Sequence, residues 1–290
     1  DKFMQMYMRF PEWRKKALTL SYDDNGEQNE KLVEILNRYG IKCTFNLNSG
    51  LFAQEGVAYE KNTLFRPMTA ARWAKLLKGT PHEVAVHGLT HPHLEEMSPS
   101  SALYEILADR ANLEGIFGRL VRGMAYPYGT YNDETVSAAK AAGIVYSRTV
   151  EYTEKFDVPA DWLRLKATCW HTHPELLALA DRFKNKPVWD NAQLFYLWGH
   201  AYEFERDGNW NVLEDFCKLL SGSEEIWYAT NIEVYDCVET YRRLQFSADS
   251  RTVYNPSALP AWLEIDGRRY KIEGGETKPP QRGGAVHINP

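Results

Sequence analysis

The stretch Ala17-Leu-Thr-Leu-Ser-Tyr-Asp23-Asp24 decides the fold of this chain. Its first six residues carry no charge and favour extended backbone, which predicts a buried strand. Two carboxylates follow directly. In folds that alternate strands with helices, chemistry lies where strands end and the following loops begin. The stretch therefore predicts a parallel sheet with functional residues at the C-terminal ends of its strands.

Seven further runs of this kind are spread along the sequence, with amphipathic segments between them. One such segment, Gln28–Tyr39, places its apolar residues on one face and ends at Gly40, a residue that tolerates a left-handed helix cap. This alternation predicts an α/β fold, a distorted (β/α) barrel of about seven strands. The further runs are Lys42–Leu47, Glu83–His87, Gly123–Tyr126, Ile144–Thr149, Leu163–Cys169, Leu194–Gly199 and Ile226–Thr230.

The pattern divides the chain into three regions. Residues 1–16 alternate apolar and polar side chains, which predicts an N-terminal lead-in strand. Residues 17–243 contain the strand–helix alternation and form the predicted barrel. Residues 244–290 are rich in Gly and Pro, with short alternating pieces, and predict a small β-rich appendage.

Composition narrows the classes of partner. The 290 residues are 44% hydrophobic and 25% charged, as in soluble globular proteins. With a net charge of −5 and no block of Lys or Arg, neither nucleic acid nor an anionic membrane surface is an expected partner. No apolar run approaches the ~20 residues that span a bilayer. The four cysteines lack zinc-finger spacing and predict free, buried thiols. The sequence does not determine the oligomeric state.

Titratable side chains follow three of the runs. Asp23 and Asp24 follow the first run, His87 ends the Glu83–His87 run with His91 four residues later, and His200 directly follows the Leu194–Gly199 run. Adjacent carboxylates repel each other, and a metal ion would relieve this by taking one as a ligand and leaving the other as a base. A helical turn after His87 would let both imidazoles reach one ion.

Each pattern also has an ordinary interpretation. Asp-Asp-Asn-Gly suits a turn, and a lone His at the end of a strand is often a structural group. Taken together, however, the side chains lie at the same end of successive strands, where the active site of a barrel is expected.

The ordered motifs resemble those of the polysaccharide deacetylases of carbohydrate esterase family 4, the NodB homology domain. The family motifs read T-F-D-D, H-S-x-x-H, R-x-P-Y-G, an Asp-Trp segment and L-x-x-H. Their counterparts here are Ser21–Asp24, His87–His91, Ala125–Gly129, the segment Asp157–Trp162, and Leu197–His200.

The resemblance implies one divalent metal ion, most often zinc, with cobalt or nickel as alternatives. The implied metal ligands are Asp24, His87 and His91. Asp23 would be the general base and His200 the general acid. The implied substrate-contacting residues are Tyr128, Leu197 and Trp198.

Two departures from the family pattern concern how the acid and the base are tuned. Ala125 stands where the family has an Arg that pairs with the base, and Arg148, at the end of the next strand, is the predicted replacement. The fourth motif normally supplies an Asp that tunes the acid His, and both Asp157 and Asp161 are candidates. The alternative occupants of that region are His171 and His173.

We therefore predict a metal-dependent hydrolase that removes acetyl groups, N-acetyl groups above all, from a polysaccharide or oligosaccharide. The alternative is a carbohydrate-binding protein of the same fold with little or no catalysis, which the missing motif Arg favours. Hydrolysis of another C–N bond, such as a cyclic amide, predicts loss of the metal ligands, and all three are present. An extracytoplasmic location, periplasmic or secreted, is expected because polysaccharide substrates usually lie there.

Overall fold

A computed structural model describes residues 5–278 of the chain. The strands are β1 (Met6–Arg9), β2 (Lys16–Asp23), β3 (Thr44–Leu47), β4 (Glu83–Val86), β5 (Gly123–Ala125), β6 (Tyr146–Tyr152), β7 (Leu165–Ala167), β8 (Cys169–Trp170), β9 (Gln193–His200), β10 (Ile226–Tyr228), β11 (Gln245–Phe246), β12 (Val253–Tyr254), β13 (Ala261–Ile265), β14 (Arg268–Ile272) and β15 (Thr277–Lys278). The helices are α1 (Gln28–Tyr39), α2 (Ala70–Leu77), α3 (Pro99–Phe117), α4 (Asp133–Ala141), α5 (Leu176–Asn185), α6 (Tyr202–Asp207), α7 (Trp210–Leu220) and α8 (Asn231–Arg242).

Nine strands form the main sheet, which is parallel throughout. Its order is β7-β6-β5-β4-β3-β2-β9-β8, and β10 pairs with the first half of β2. The outer strands β7 and β8 are separated in sequence only by Thr168, yet β7 pairs with β6 and β8 pairs with β9. The segment 165–170 therefore links both ends of the row, and the predicted distorted α/β barrel is confirmed.

The two faces of β2 show how the barrel positions its polar groups. Leu18, Leu20 and Tyr22 belong to the core between the sheet and the helices. The alternate residues point into the barrel: the Thr19 hydroxyl accepts a hydrogen bond from Asn231 at the start of α8, and Ser21 accepts one from Arg148. Because side chains alternate along a strand, Asp23 also faces the interior, and Asp24 is the first residue beyond the strand.

Helix α1 follows this strand as predicted. Its apolar residues Leu32, Val33, Ile35 and Leu36 are buried against the sheet. The helix ends at Gly40, whose left-handed conformation (φ 67°) lets its N–H bond back to the carbonyls of the last turn. The short loop between β2 and α1 consequently holds Asp24 at the rim of the barrel.

The first described strand pairs with strands from the last part of the described chain. Strand β1 pairs antiparallel with β13, which pairs with β14, and a second small sheet contains β11, β12 and β15. The predicted boundaries between residues 16 and 17 and between 243 and 244 stay a prediction, and residues 1–4 and 279–290 of these regions lie outside the described residues. All four cysteines are free and buried, as predicted. Within residues 5–278, no helix has the length and apolar character needed to cross a membrane.

Candidate active site

Asp23 is a buried carboxylate paired with an arginine inside the barrel. Nη2 of Arg148 lies 2.5 Å from both carboxylate oxygens, and the Asn46 amide donates to Oδ1 at 2.8 Å. Burial alone would raise the pKa of Asp23, but the charge and hydrogen bond of Arg148, together with the imidazoles of His87 and His200, hold the pKa well below its usual value. Asp23 is therefore held ionised.

The barrel explains how Arg148 reaches this position. Arg148 on β6 is the direct partner of Ala125 on β5 in the parallel ladder. Its guanidinium packs over the ring of Trp198, with 4.3 Å between Cζ and the ring centroid, and its Nε donates to Ser21. The structure thus places Arg148 against Asp23, in the layer of the barrel where the family motif would place its Arg.

Asp24 reaches the rim through an unusual backbone conformation. Its φ is +77°, in the left-handed region that residues with a Cβ seldom adopt, and its N–H bonds to the Asn46 carbonyl at 3.1 Å. Such strain is typical of functional sites. The turn directs the Asp24 carboxylate away from the core and towards His87 and His91.

The segment from His87 to His91 is an irregular loop, so the predicted helical turn is wrong. Gly88 and His91 both have positive φ, 84° and 59°, which folds the loop back on itself. The Asn48 amide donates to the His87 and Gly88 carbonyls at 2.6 and 2.9 Å, and Asp109 accepts the His87 N–H at 3.0 Å. Polar side chains from neighbouring elements therefore stabilise an irregular loop where a helical turn was expected.

Asp24, His87 and His91 have the geometry of a metal site. Their ligand atoms all lie within 4.8 Å of one another, and Oδ1 of Asp24 is 3.5 Å from Nε2 of His87 and 3.6 Å from Nε2 of His91. Neighbouring ligands of a tetrahedral ion bound at about 2.0–2.1 Å lie about 3.3 Å apart, so small shifts would bring all three donors onto one cation.

The protonation of the two imidazoles also suits a cation. Nδ1 of His87 lies 2.7 Å from the Ala125 carbonyl, which can only accept, so Nδ1 carries the proton and Nε2 is left with its lone pair. Burial lowers the pKa of both His87 and His91, which favours the neutral form that binds metals.

A second group of His93, Glu95 and Glu96 lies on the loop that follows. Its side chains are half-buried or exposed, and solvated acidic groups of this kind are common without an ion. The ring of His93 stacks on that of Tyr128, with 3.8 Å between centroids. We regard the Asp24–His87–His91 group as the candidate metal site.

His200, at the end of β9, faces the same site from the other side. Its Nε2 is 3.9 Å from Oδ2 of Asp23 and 3.8 Å from Oδ2 of Asp24. Its Nδ1 lies 2.8 Å from Oε1 of Glu203, a buried carboxylate on α6. Burial disfavours charge on the imidazole, but the hydrogen bond to Glu203 and the negative charges of Asp23, Asp24 and Glu203 together raise the pKa of His200.

Glu203 corrects the prediction that Asp157 or Asp161 tunes His200. The backbone of Asp157 bridges to Gln193, the first residue of β9, whereas His200 is the last. Asp161 is exposed and pairs with Arg164. The His-x-x-Glu spacing at the start of α6 was a signal for Glu203 in the sequence.

The alternative histidines of that region are not among the candidate metal ligands, although Nε2 of His171 lies 3.4 Å from Oε1 of Glu203. Nδ1 of the buried His171 ring is hydrogen-bonded to the Tyr22 hydroxyl, 2.9 Å away. Tyr22 lies on the face of β2 that packs against the helices. His173 pairs with Glu154 on the surface at 2.6 Å. Both therefore have structural partners.

The three predicted substrate contacts differ in exposure. Leu197 is fully buried in the core between sheet and helices, because it lies on the outward-facing side of β9. Trp198 faces the barrel interior but is buried beneath Arg148. Tyr128, with a positive φ of 62°, is half exposed at the rim and packs edge-on against His91 at 4.5 Å between centroids. Only Tyr128 of these three is placed to touch a substrate.

Replacing His91 by Ala tests the candidate metal site. The variant removes one of three donors, and we expect its zinc affinity to fall about 100-fold or more, measured by competition with a chelator and by elemental analysis. His93→Ala is the matched control, because it removes a neighbouring imidazole from the second group. Loss of zinc from the His93 variant with retention in the His91 variant would contradict this assignment.

Comparison with known proteins identifies relatives of the chain. Residues 11–147, just under half of it, match the polysaccharide deacetylase family model. A chitooligosaccharide deacetylase of Bradyrhizobium sp. (strain ANU 289) is 26% identical over 152 residues, which cover 51% of this chain and 60% of that protein. The match thus spans less than two thirds of that relative, and His200 lies beyond the residues of the family match.

Solved structures share the fold at low identity. The Xyl-CE4 domain of a multidomain xylanase from the hindgut metagenome of Trinervitermes trinervoides has a TM-score of 0.50 and 16% identity, covering 78% of this chain and 92% of that one. A Mycobacterium smegmatis protein described as a polysaccharide deacetylase has a TM-score of 0.55 and 16% identity, covering 80% and 93%. The resemblance that the ordered motifs predicted is thereby confirmed: the chain is similar to the polysaccharide deacetylase family model and to a chitooligosaccharide deacetylase.

Proposed function

We propose that the chain is a metal-dependent hydrolase that removes acetyl groups, N-acetyl groups above all, from an oligosaccharide or polysaccharide. The observation that carries this proposal is that a set of metal-donor side chains and an acid–base pair lie next to each other at one rim of the barrel. Asp24, His87 and His91 offer a donor set for a cation, while Asp23 and His200 lie beside it with partners of their own.

The donor set suits zinc best. Two neutral imidazoles and one carboxylate are the protein ligands of many catalytic zinc sites, and such sites leave a position open. Cobalt or nickel would be accepted by the same donors. The bound ion would supply Lewis-acid chemistry to the acetyl carbonyl and to the attacking water.

Asp23 is suited to act as the general base. Arg148 and Asn46 fix its carboxylate, and the ionised form that Arg148 stabilises is the form that can accept a proton. A water attacking the acetyl carbon at this rim would pass its proton to Oδ2 of Asp23, the oxygen nearest His87 and His200.

His200 is suited to act as the general acid. The Glu203 carboxylate accepts from Nδ1–H, so the proton available for transfer is on Nε2, which faces Asp23 and Asp24. That proton would go to the departing amine or alcohol. An amide nitrogen needs it most, because an unprotonated amide anion is too basic to leave, and this favours an N-acetyl substrate.

The alternative, a carbohydrate-binding protein with little catalysis, was favoured by Ala125. Its main support was a base without a partner, and the contact between Arg148 and Asp23 weakens it. The extracytoplasmic location expected for polysaccharide substrates stays a prediction.

Replacing Asp23 by Asn tests the proposed function. We expect the zinc-loaded protein to release acetate from N-acetylglucosamine oligomers, and Asp23→Asn to lower kcat about 10²–10⁴-fold, the range for loss of a general base. Bound zinc should be retained, since Asp24 supplies the carboxylate ligand. Asp133→Asn, an exposed carboxylate on α4, is the control. No acetate release by the unaltered protein from these oligomers or from acetylated xylan would count against the proposal.

Replacing Glu203 by Gln tests whether this carboxylate positions and charges the acid. The hydrogen bond to Glu203 raises the pKa of His200, so its loss lowers that pKa. An acid must be protonated to act, and the rate falls as the pH rises through its pKa. The alkaline limb of the pH–rate profile should therefore move to lower pH in Glu203→Gln. Glu154→Gln, which removes the partner of the surface residue His173, should leave the limb in place. A shift in neither variant, or an equal shift in both, would exclude this role for Glu203.

A further inference from the structure

Two aromatic pairs stand at the rim, on opposite sides of the candidate metal ligands. On one side Tyr128 stacks on His93 and touches His91 with its edge. On the other, Phe65 packs edge-on against Tyr202 with 4.9 Å between ring centroids, and the Tyr202 ring lies 5.2 Å from that of His200. We call the second pair the Phe65–Tyr202 wall.

The sheet order shows that the two pairs are separated by the site. Tyr128 follows β5 and Tyr202 follows β9, while Asp24 follows β2. In the order β5-β4-β3-β2-β9, the metal-site residues come from strands between those that carry the two pairs. A ligand that follows this arc of the rim from one pair to the other therefore passes over the metal-site residues.

Phe65 is exposed although its loop is firmly held. Its side chain is 65% exposed, so it contributes little to the core. The residues on either side are anchored: the Leu64 carbonyl accepts from Gln28 at 2.9 Å, and Arg66 bonds to the Glu27 carboxylate at 2.9 Å.

The same arginine fastens the loop to the helix that carries Tyr202. Nη1 and Nη2 of Arg66 each donate to a carboxylate oxygen of Glu205 at 2.9 Å, and Glu205 and Tyr202 both lie on α6. A two-point contact of this kind fixes orientation as well as distance. The wall is thus built before any ligand arrives, which lowers the entropy cost of binding.

We propose that the Phe65–Tyr202 wall binds the sugar ring next to the one that loses its acetyl group. This inference rests on the proposed function and deepens it. A pyranose ring presents an apolar face of C–H groups that suits an aromatic side chain, and the wall adjoins the group proposed to protonate the leaving nitrogen. The Tyr128–His93 pair is placed to contact the chain on the far side of the site.

Phe65→Ala tests the wall through the dependence on chain length. We expect the zinc-loaded protein to have a higher kcat/KM for acetate release from the N-acetylglucosamine tetramer than from the monomer. In Phe65→Ala the ratio of kcat/KM for the tetramer to kcat/KM for the monomer should fall on the order of tenfold, which corresponds to the largest free energy expected of one aromatic contact. Trp189→Ala is the matched control, because Trp189 is 83% exposed but precedes β9 at the opposite end of the barrel from His200.

A titration that needs no turnover separates this inference from the proposed function. Calorimetry with the tetramer and the Asp23→Asn protein should give binding that the additional Phe65→Ala change weakens by a similar factor. If the tetramer binds in this way but the unaltered protein releases no acetate, the proposed function is wrong. The assignment of the wall as a sugar-binding site would then still hold. An unchanged ratio and unchanged binding in Phe65→Ala, or no tetramer binding at all, would overturn the inference. So would self-association that Phe65→Ala abolishes while tetramer binding persists, since the wall would then serve a second copy of the chain.

Discussion

The buried ion pair between Asp23 and Arg148 is the interaction on which the rest of the site depends. Strand β2 ends in two adjacent carboxylates, and both repulsion and desolvation oppose holding two negative charges there. Arg148 compensates one of them inside the barrel. Removing one partner of a buried pair typically costs roughly 3–5 kcal/mol, because the other charge is left without compensation.

The pair also makes the electrostatic surroundings of the two carboxylates different. Arg148 lowers the pKa of Asp23, whereas burial raises the pKa of Asp24, which the neighbouring imidazoles offset only in part. The negative charge of Asp24 is therefore not compensated by Arg148. With two neutral imidazoles beside Asp24, a bound cation would supply the compensating charge, in keeping with the proposed roles of Asp23 as base and Asp24 as metal ligand.

Much of the site followed from strand patterns in the sequence, because parallel strands end at the same edge of a sheet. This brought Asp23, Asp24, His87, His91 and His200 to one rim. The replacement of the motif arginine by Arg148 was also predictable, since residues at the ends of adjacent strands face the same layer of the barrel.

Other features depend on conformations that spacing does not encode. The i, i+4 spacing of His87 and His91 suggested a helical turn, but hydrogen bonds from Asn48 and Asp109 favour an irregular loop. Leu197 shares a motif with His200 yet lies on the opposite face of β9, so alternation along the strand removes it from the site. The carboxylate partner of His200 lies on α6, directly after β9, whereas the family pattern directed attention to the segment Asp157–Trp162, between β6 and β7.

The most direct test of the account exchanges the arginine between two strands. Ala125 pairs with Arg148 in the parallel ladder. Gly123, two residues earlier on the same face of β5, faces the barrel interior, because a Cβ there would meet the ring of Tyr146. A side chain at position 125 therefore also points into the barrel. The measurement is kcat/KM for acetate release by folded, zinc-loaded protein. Arg148→Ala should lower it about 100-fold or more, as expected for loss of a buried charge partner, and adding Ala125→Arg should restore at least part of the loss. An Arg148→Ala protein with the full rate of the unaltered chain would contradict the account.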